Sequence, residues 1–388
     1  MARSRSADPS RPSQLLDSWR LAQTEGVGPI AWRRLLSRYG TAAAALDAMP
    51  GLARAGGRSA PPAIPTPAEA EKQLEGLRKL GAKVLVIGDP GYPPLLAMLD
   101  DAPPVIAVQG DPTLLSADSV AMVGGRNASA NGQRMAETRA AALARSVVVV
   151  SGLARGIDAA AHAGALATGR TIAVVAGGLD LPYPPEHAAL QRRIAEAGAV
   201  VAEMPLGTAP QARHFPRRNR IIAGLALGVV VVEAAPRSGS LITARIAQEI
   251  GREVFAVPGS PTDPRSRGTN DLLRQGAILT ETAEDVLDNL PSHPMLASAS
   301  HESVTRPSGL AEGRPELADD SLDFPRARSQ VLDLLCPSPT PVDDVVRRCQ
   351  FSPAAVMAVL LELELAGRLQ MLPGNRVVLL SDEARITE

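Results

Sequence analysis

The feature that most constrains the fold is a run of short β-branched segments alternating with alanine-rich segments through the middle of the chain. The β-branched runs fall at 83–87, 105–108, 120–123, 147–150, 171–175, 199–202, 229–232, 253–257 and 277–280. Between several of them lie segments of helical period, such as 132–145 and 157–167. Strand alternating with helix means βαβ units, hence a mostly parallel sheet with helices on both faces. The predicted fold class is therefore α/β, with a Rossmann-like, doubly wound, mostly parallel sheet. Only 2% of the residues are aromatic, so Ala, Val, Leu and Ile must fill the core.

Proline and glycine divide the rest of the chain. Residues 1–12 are polar and rich in Arg and Ser, without the apolar run of a secretory leader, and are expected to be a disordered tail. Residues 13–68 form a small N-terminal helical domain and linker. Leu15, Leu16 and Trp19, then Leu35, Leu36 and Leu46, recur at helical spacing around a tight turn, Glu25-Gly-Val-Gly28-Pro29. That outline resembles a helix-hairpin-helix, whose turn either offers backbone N–H groups to a phosphate or simply joins two helices. The core spans 69–290, and a Pro/Ser/Glu-rich linker expected to be disordered spans 291–324. Within 325–388, helices at 327–335, 342–348 and 353–365 precede a hairpin around Pro373-Gly374-Asn375, the outline of a winged helix. Its third helix carries Glu362 and Glu364 but no Arg, Lys, Asn or Gln to meet base edges, which favours a protein-contact or regulatory role.

Cys336 and Cys349 match no zinc pattern and make no disulfide framework, which suits free thiols in a reducing, cytoplasmic compartment. No apolar run approaches the ~18 residues of a membrane span. The net charge of −1 means that any nucleic-acid binding must come from a local basic patch.

In a doubly wound sheet, ligands bind beyond the carboxyl ends of the strands. The residues that follow the strands there are Gly124, Gly125 and Arg126; Ser151, Gly152, Arg155 and Gly156; and Ser238, Gly239 and Ser240. Glycine permits close backbone approach, helix N-termini offer free N–H groups, and arginine adds charge-assisted bonds, so the convergence points to a phosphate-rich ligand. The segment 210–220 is basic and without acidic residues, and it contains Phe215, Arg217, Arg218, Asn219 and Arg220. Cations beside an aromatic ring are the equipment of a single-strand binder. Walker A, H-E-x-x-H and G-x-S-x-G motifs are absent from the sequence. Asp158 and His162 lie one helical turn apart and read as a helix-stabilising contact, and Glu233 is a lone strand-end carboxylate. The expectation is a binding protein, not an enzyme, with no metal or cofactor.

These residues together resemble the DNA-processing protein A family, DprA/Smf. The resemblance rests on Val123-Gly-Gly-Arg126, Ser151-Gly-Leu-Ala-Arg-Gly-Ile-Asp158, Tyr183-Pro184, Phe215-Pro-x-Arg218-Asn-Arg220, Val232-Glu-Ala234, Ser238-Gly-Ser-Leu-Ile-Thr243 and Val254-Phe-Ala-Val-Pro-Gly259. It implies a protein that binds and protects incoming single-stranded DNA during natural transformation and loads the RecA recombinase onto it. It also implies a sterile-alpha-motif-like helical domain in front, a winged helix behind, and a homodimer joined through the Rossmann-like core, with Arg126, Phe215, Arg218 and Arg220 lining the DNA pocket. Gly125 stands where the family often has Ser or Thr, and the wing at Gly374-Asn-Arg-Val-Val lacks an aromatic that many relatives carry. The alternative is a phosphoribohydrolase-like enzyme on a related scaffold. Such enzymes carry Pro-Gly-Gly-x-Gly-Thr-x-x-Glu, and this chain has Pro258-Gly-Ser-Pro instead.

Overall fold

The central β-branched runs are strands whose two faces both find apolar cover, while those at the sheet edges, Ala82–Val86 and Ile278–Leu279, are partly exposed. A computed structural model describes residues 11–291 and 324–380, so nearly all of the expected tail and of the expected linker lies outside the described residues, and residues 11 and 12, expected in the tail, begin the first helix. Two compact units form: Lys72–Ser300, and a second that joins the chain up to Glu71 with the chain from His301 onward.

The elements run α1 (Arg11–Ala22), α2 (Pro29–Tyr39), α3 (Ala42–Ala55), α4 (Pro67–Lys79), β1 (Ala82–Val86), α5 (Pro94–Ala97), β2 (Val105–Gly110), β3 (Ser119–Val123) and α6 (Ala130–Leu143). Next come β4 (Val148–Ser151), α7 (Ile157–Thr168), β5 (Thr171–Val175), α8 (Ala188–Ala197), β6 (Ala199–Ala202), α9 (His214–Leu225), β7 (Gly228–Val231) and α10 (Gly239–Glu249). Then follow β8 (Glu253–Ala256), α11 (Arg267–Arg274), β9 (Ile278–Leu279) and α12 (Glu284–Leu287). The C-terminal part holds α13 (Phe324–Leu334), β10 (Thr340–Pro341), α14 (Val342–Arg348), α15 (Pro353–Leu365), β11 (Leu369–Leu372) and β12 (Arg376–Leu379).

Every strand expected in the core is present, in one sheet of order β1-β2-β6-β5-β4-β3-β7-β8-β9. Neighbours from β6 through to β9 are parallel, while β2 runs against both β1 and β6. Successive side chains of a strand point to opposite faces, and β3 shows the consequence. Ala121 and Val123 pack with Ile221, Ile222 and Leu225 of α9 and Ala244 of α10. Val120 and Met122 pack with Ala136 and Ala140 of α6 and Ile157 and Ala161 of α7 on the other face. Alanine at these helix positions lets α6 and α7 lie close together on the sheet: a Cβ on Gly164 would stand 2.0 Å from the Glu137 carbonyl oxygen.

In the other unit, the expected three helices and wing are joined by β10, giving a small sheet of order β10-β12-β11. Val356, Val359, Leu360 and Leu363 of α15 fill a core with Val331, Val345, Met371 and Val377. Ile30 of α2 packs against that same core. Among the described residues, no helix is long and apolar enough to cross a membrane.

Glu364 on α15 is buried. Its Oε1 accepts from the Met371 N–H at 3.2 Å, and Oε2 has no hydrogen-bond partner. Burial pushes its pKa up to about 7, opposed by the Met371 N–H and the Arg34 charge on α2. The nearby carboxylate of Glu362 is held by Arg328 of α13 at 2.8 Å. A carboxyl whose pKa is raised in the folded state adds stability below its ordinary value of 4.5, and this is lost as pH rises through about 7. Thermal unfolding of wild type and E364Q at pH 5 and pH 8 checks this. The wild-type unit should lose up to about 3 kcal/mol between the two pH values on this account, and E364Q should lose none of that portion.

Candidate nucleic-acid interface

The strand order places β3 between β4 and β7, so the chain winds outward in both directions from β3. Such a switch point leaves a crevice at the carboxyl ends of the two strands. Its walls are the loops after β3 and β7, tied together where the Gly125 N–H donates to the Glu233 carbonyl at 2.7 Å. The Glu233 carboxylate accepts from the Ser129 N–H at 2.8 Å and the Ser129 hydroxyl at 2.5 Å. Ser129 in turn caps α6 by accepting from the Gly132 N–H. The lone strand-end carboxylate of the sequence thus anchors a loop and a helix start.

Above these loops lies a cleft of about 790 Å³ whose wall includes Gly125, Arg126, Phe215, Arg237, Ser238 and Gly239. The Arg126 guanidinium carbon stands 4.7 Å from the Phe215 ring centroid. The Tyr183 ring lies 5.7 Å from Phe215, tilted by 55°. Phe215 is half-buried, whereas Arg126 and Tyr183 are exposed. A second pocket of about 70 Å³ opens beside them, with Gly177, Leu181, Pro210 and Arg155 in its wall. The cation–π contact between Arg126 and Phe215 is worth about 0.5–1 kcal/mol at an exposed site and leaves the guanidinium N–H groups free to donate. Arg155 is paired with Glu186 at 2.5 Å. Ser238 caps α10, and its hydroxyl meets that of Ser240 at 2.7 Å.

Other expected contacts are spent on the protein itself. Arg218 is buried and donates to the carbonyls of Gly152 and Val174. Burial lowers its pKa to about 10, while Asp158 draws it upward. Its Nε also donates to Asn219 Oδ1 at 3.2 Å, and Asn219 reaches the Gly239 carbonyl at 3.4 Å. A Cβ on Gly152 would lie 2.3 Å from the Arg218 guanidinium, so that glycine makes room for the arginine rather than for a ligand. Gly124 likewise makes room for Ile157, and Gly156, at φ +74°, for the Gly125 carbonyl. The Ser151 hydroxyl donates to the Met122 carbonyl at 2.6 Å and is buried. Arg220 turns away from the cleft, bonding Glu203 Oε1 at 2.5 Å and the Asp101 carbonyl at 2.5 Å. Arg217 is exposed, but outside the cleft wall. Arg220 and Ser151, expected from the sequence as ligand contacts, thus have internal partners, as buried polar groups require.

Asp158 and His162 have separate partners. Asp158 accepts from the Ala154 N–H at 3.3 Å, and burial raises its pKa against the field of Arg218. The Thr171 hydroxyl donates to the Val149 carbonyl, so it accepts from His162 Nδ1 at 2.8 Å. Burial drives the His162 pKa down to about 3, which keeps the ring neutral at physiological pH.

Sequence reasoning missed Tyr183, Arg237 and Arg265 as cleft residues. Tyr183 was discoverable as one of three tyrosines, placed in the loop after β5. Arg237 immediately precedes the Ser238 cap, whereas Arg265 arrives from a turn after β8 with no local signal. The arrangement generates one prediction before any ligand is considered. Truncating one partner of a buried ion pair costs about 3–5 kcal/mol. Arg220→Ala should therefore destabilise the sheet unit by that amount in denaturant unfolding, while the arrangement of Arg126 and Phe215 persists.

Comparison with known proteins places this geometry. Residues 83–291 match the family model described as DNA recombination-mediator protein A. Residues 12–75 match a DprA-like N-terminal HHH domain, and 314–375 a DprA winged helix domain. Protein Smf of Escherichia coli K12 is 44% identical over 290 residues, 74% of each chain. DNA processing protein DprA of Streptococcus pneumoniae is 46% identical over 200 residues, 51% of this chain and 71% of that one. The X-ray structure of DprA from Streptococcus pneumoniae matches with a TM-score of 0.59 and 36% identity, covering 74% of this chain and 100% of that one. With a family model over more than half its length and a relative this similar over three quarters of it, the chain belongs to the DprA/Smf family.

Proposed function

We propose that this protein binds single-stranded DNA along the switch-point cleft, protects it, and hands it to a RecA-type recombinase in the cytoplasm during natural transformation. The observation that carries this reading is the Arg126–Phe215–Tyr183 cluster at the mouth of a cleft whose wall also carries Arg237 and the start of α10. A half-buried ring flanked by a cation can stack an unpaired base, while the arginines and the free N–H groups of the helix start receive phosphates. The bases of a duplex are already stacked and offer no free face to Phe215. The family's description as a recombination mediator agrees with this chemistry. The reading includes a homodimer joined through the sheet unit and a transfer step that requires RecA.

The test is fluorescence anisotropy of a labelled oligothymidine against a duplex of equal length, in a salt series. Salt-sensitive preference for the single strand is expected, and no binding, or equal binding to duplex, would sink the proposal. Arg126→Ala should lower the slope of log affinity against log salt by about 0.7, one phosphate contact on a single strand. Phe215→Ala should cost about 1–3 kcal/mol of binding with the slope nearly unchanged, because stacking releases few ions. Acceleration of RecA assembly on DNA coated with a single-strand-binding protein then tests the transfer step, and no acceleration would leave a binding protein without a loading role.

A further inference from the structure

Helix α15 holds the position that, in helix-turn-helix proteins, enters the major groove. Here it is buried almost throughout: Ala355, Val356, Glu362, Glu364 and every leucine from Leu360 to Leu365 are covered. A helix apolar all round is one enclosed on all sides. One side packs on the winged-helix core. The N-terminal helices cover the other.

The fit of that second side is close. Gly56, just past α3, lies so near α15 that a Cβ there would stand 2.0 Å from the Glu362 carbonyl oxygen and 2.7 Å from the Ala366 Cβ. A Cβ on Gly26, in the hairpin turn between α1 and α2, would stand 3.5 Å from the Leu365 carbonyl oxygen. Ile30 of α2 reaches the winged-helix core. The Arg34 charge on α2 acts on the buried Glu364. The hairpin turn that could have offered N–H groups to a phosphate and the helix that could have entered a groove thus lie against each other.

We propose that α15 is a protein-docking helix rather than a DNA-reading one, and that its occupant is the chain's own N-terminal helical module. The docked face has apolar side chains and the Glu364 carboxyl beside Arg34, while Glu362 is held by Arg328 of its own domain, and none of the residues of α15 is cationic. Such a face offers no cation to a phosphate backbone but accepts a helix that brings an arginine and a glycine. The two small modules work as one body, and the duplex-binding surfaces that each outline suggests are mutually covered. This inference is independent of the cleft reading, since none of its residues belongs to the cleft.

Gly56 provides a clean test. Its backbone is ordinary right-handed helix, φ −67° and ψ −5°, so Gly56→Ala costs the N-terminal module nothing by itself yet forces the backbone of α15 away. Ile30→Asp attacks the contact from a second point, in case one variant reseats. Hydrogen–deuterium exchange is followed in the full chain, with duplex and single-strand binding measured in parallel. Exchange should quicken by about tenfold or more in 29–39 and 353–366 together in both variants, with 83–291 unchanged and without gain of duplex affinity. Unchanged exchange in both variants would overturn the docking. Faster exchange accompanied by a clear gain in duplex affinity would overturn the protein-docking role, because it would reveal a masked DNA-reading face.

Discussion

A buried guanidinium holds the site together. Parallel strands end in carbonyls that nothing in the sheet satisfies, and a crevice at the switch point leaves them beneath any ligand that binds there. Arg218 answers this by donating to the Gly152 and Val174 carbonyls, just past β4 and near the end of β5. Burying a cation is costly, and the fall of its pKa to about 10 records that cost, offset by the field of Asp158 beneath it. The return is geometric. Arg218 and Phe215 share one face of α9, a single turn apart, so fixing the arginine fixes the ring that Arg126 covers. The large cleft and the small pocket both border on this pair.

Seen this way, the basic segment 210–220 separates into two populations. The first, Arg218 and Arg220, is architecture: each is buried and bonded to protein oxygens. The second, Arg213 and Arg217, is exposed. A composition argument sees a cluster of arginines beside a phenylalanine and cannot tell them apart. Periodicity does not separate them either: Arg217 stands four residues before Ile221 just as Arg218 stands four before Ile222, and every residue from Arg218 to Leu225 is buried. The burial of Arg218 and Arg220 comes from tertiary partners, the Gly152 and Val174 carbonyls for one and Glu203 and Asp101 for the other, that lie far away in the chain.

The strands, by contrast, were legible. Val120 through Val123 are apolar at every position because both faces are covered, and what marks the run as a strand is its shortness, its valines and the Gly124-Gly125 that ends it, since α15 is just as uniformly apolar but longer. Glycines were harder. Gly124, Gly152 and Gly156 follow strands just as phosphate-binding glycines do, yet each is small for the sake of a protein neighbour. The space a glycine vacates is filled by whatever the tertiary fold brings there, and a ligand and an isoleucine leave the same mark in the sequence. Gly125 is different: its nearest neighbour to an added Cβ is 3.6 Å away, so it is not the packing that demands a glycine there.

Helix α15 shows the same ambiguity from the other direction. Its lack of base-reading side chains was plain in the sequence, and so was its uniform apolarity. A surface helix on a winged-helix core needs only one apolar stripe. The second stripe had to be covered by something, and the sequence alone could not say by what, because the covering helices lie some three hundred residues earlier. Two buried carboxylates are the residue of that arrangement. Glu362 is matched by Arg328 from within the winged helix, whereas Glu364 looks to Arg34, a residue of α2. An apolar helix without a cation, with one carboxyl held inside its own domain and the other buried beside Arg34, has nothing to offer a phosphate backbone and is suited to the protein helices that cover it.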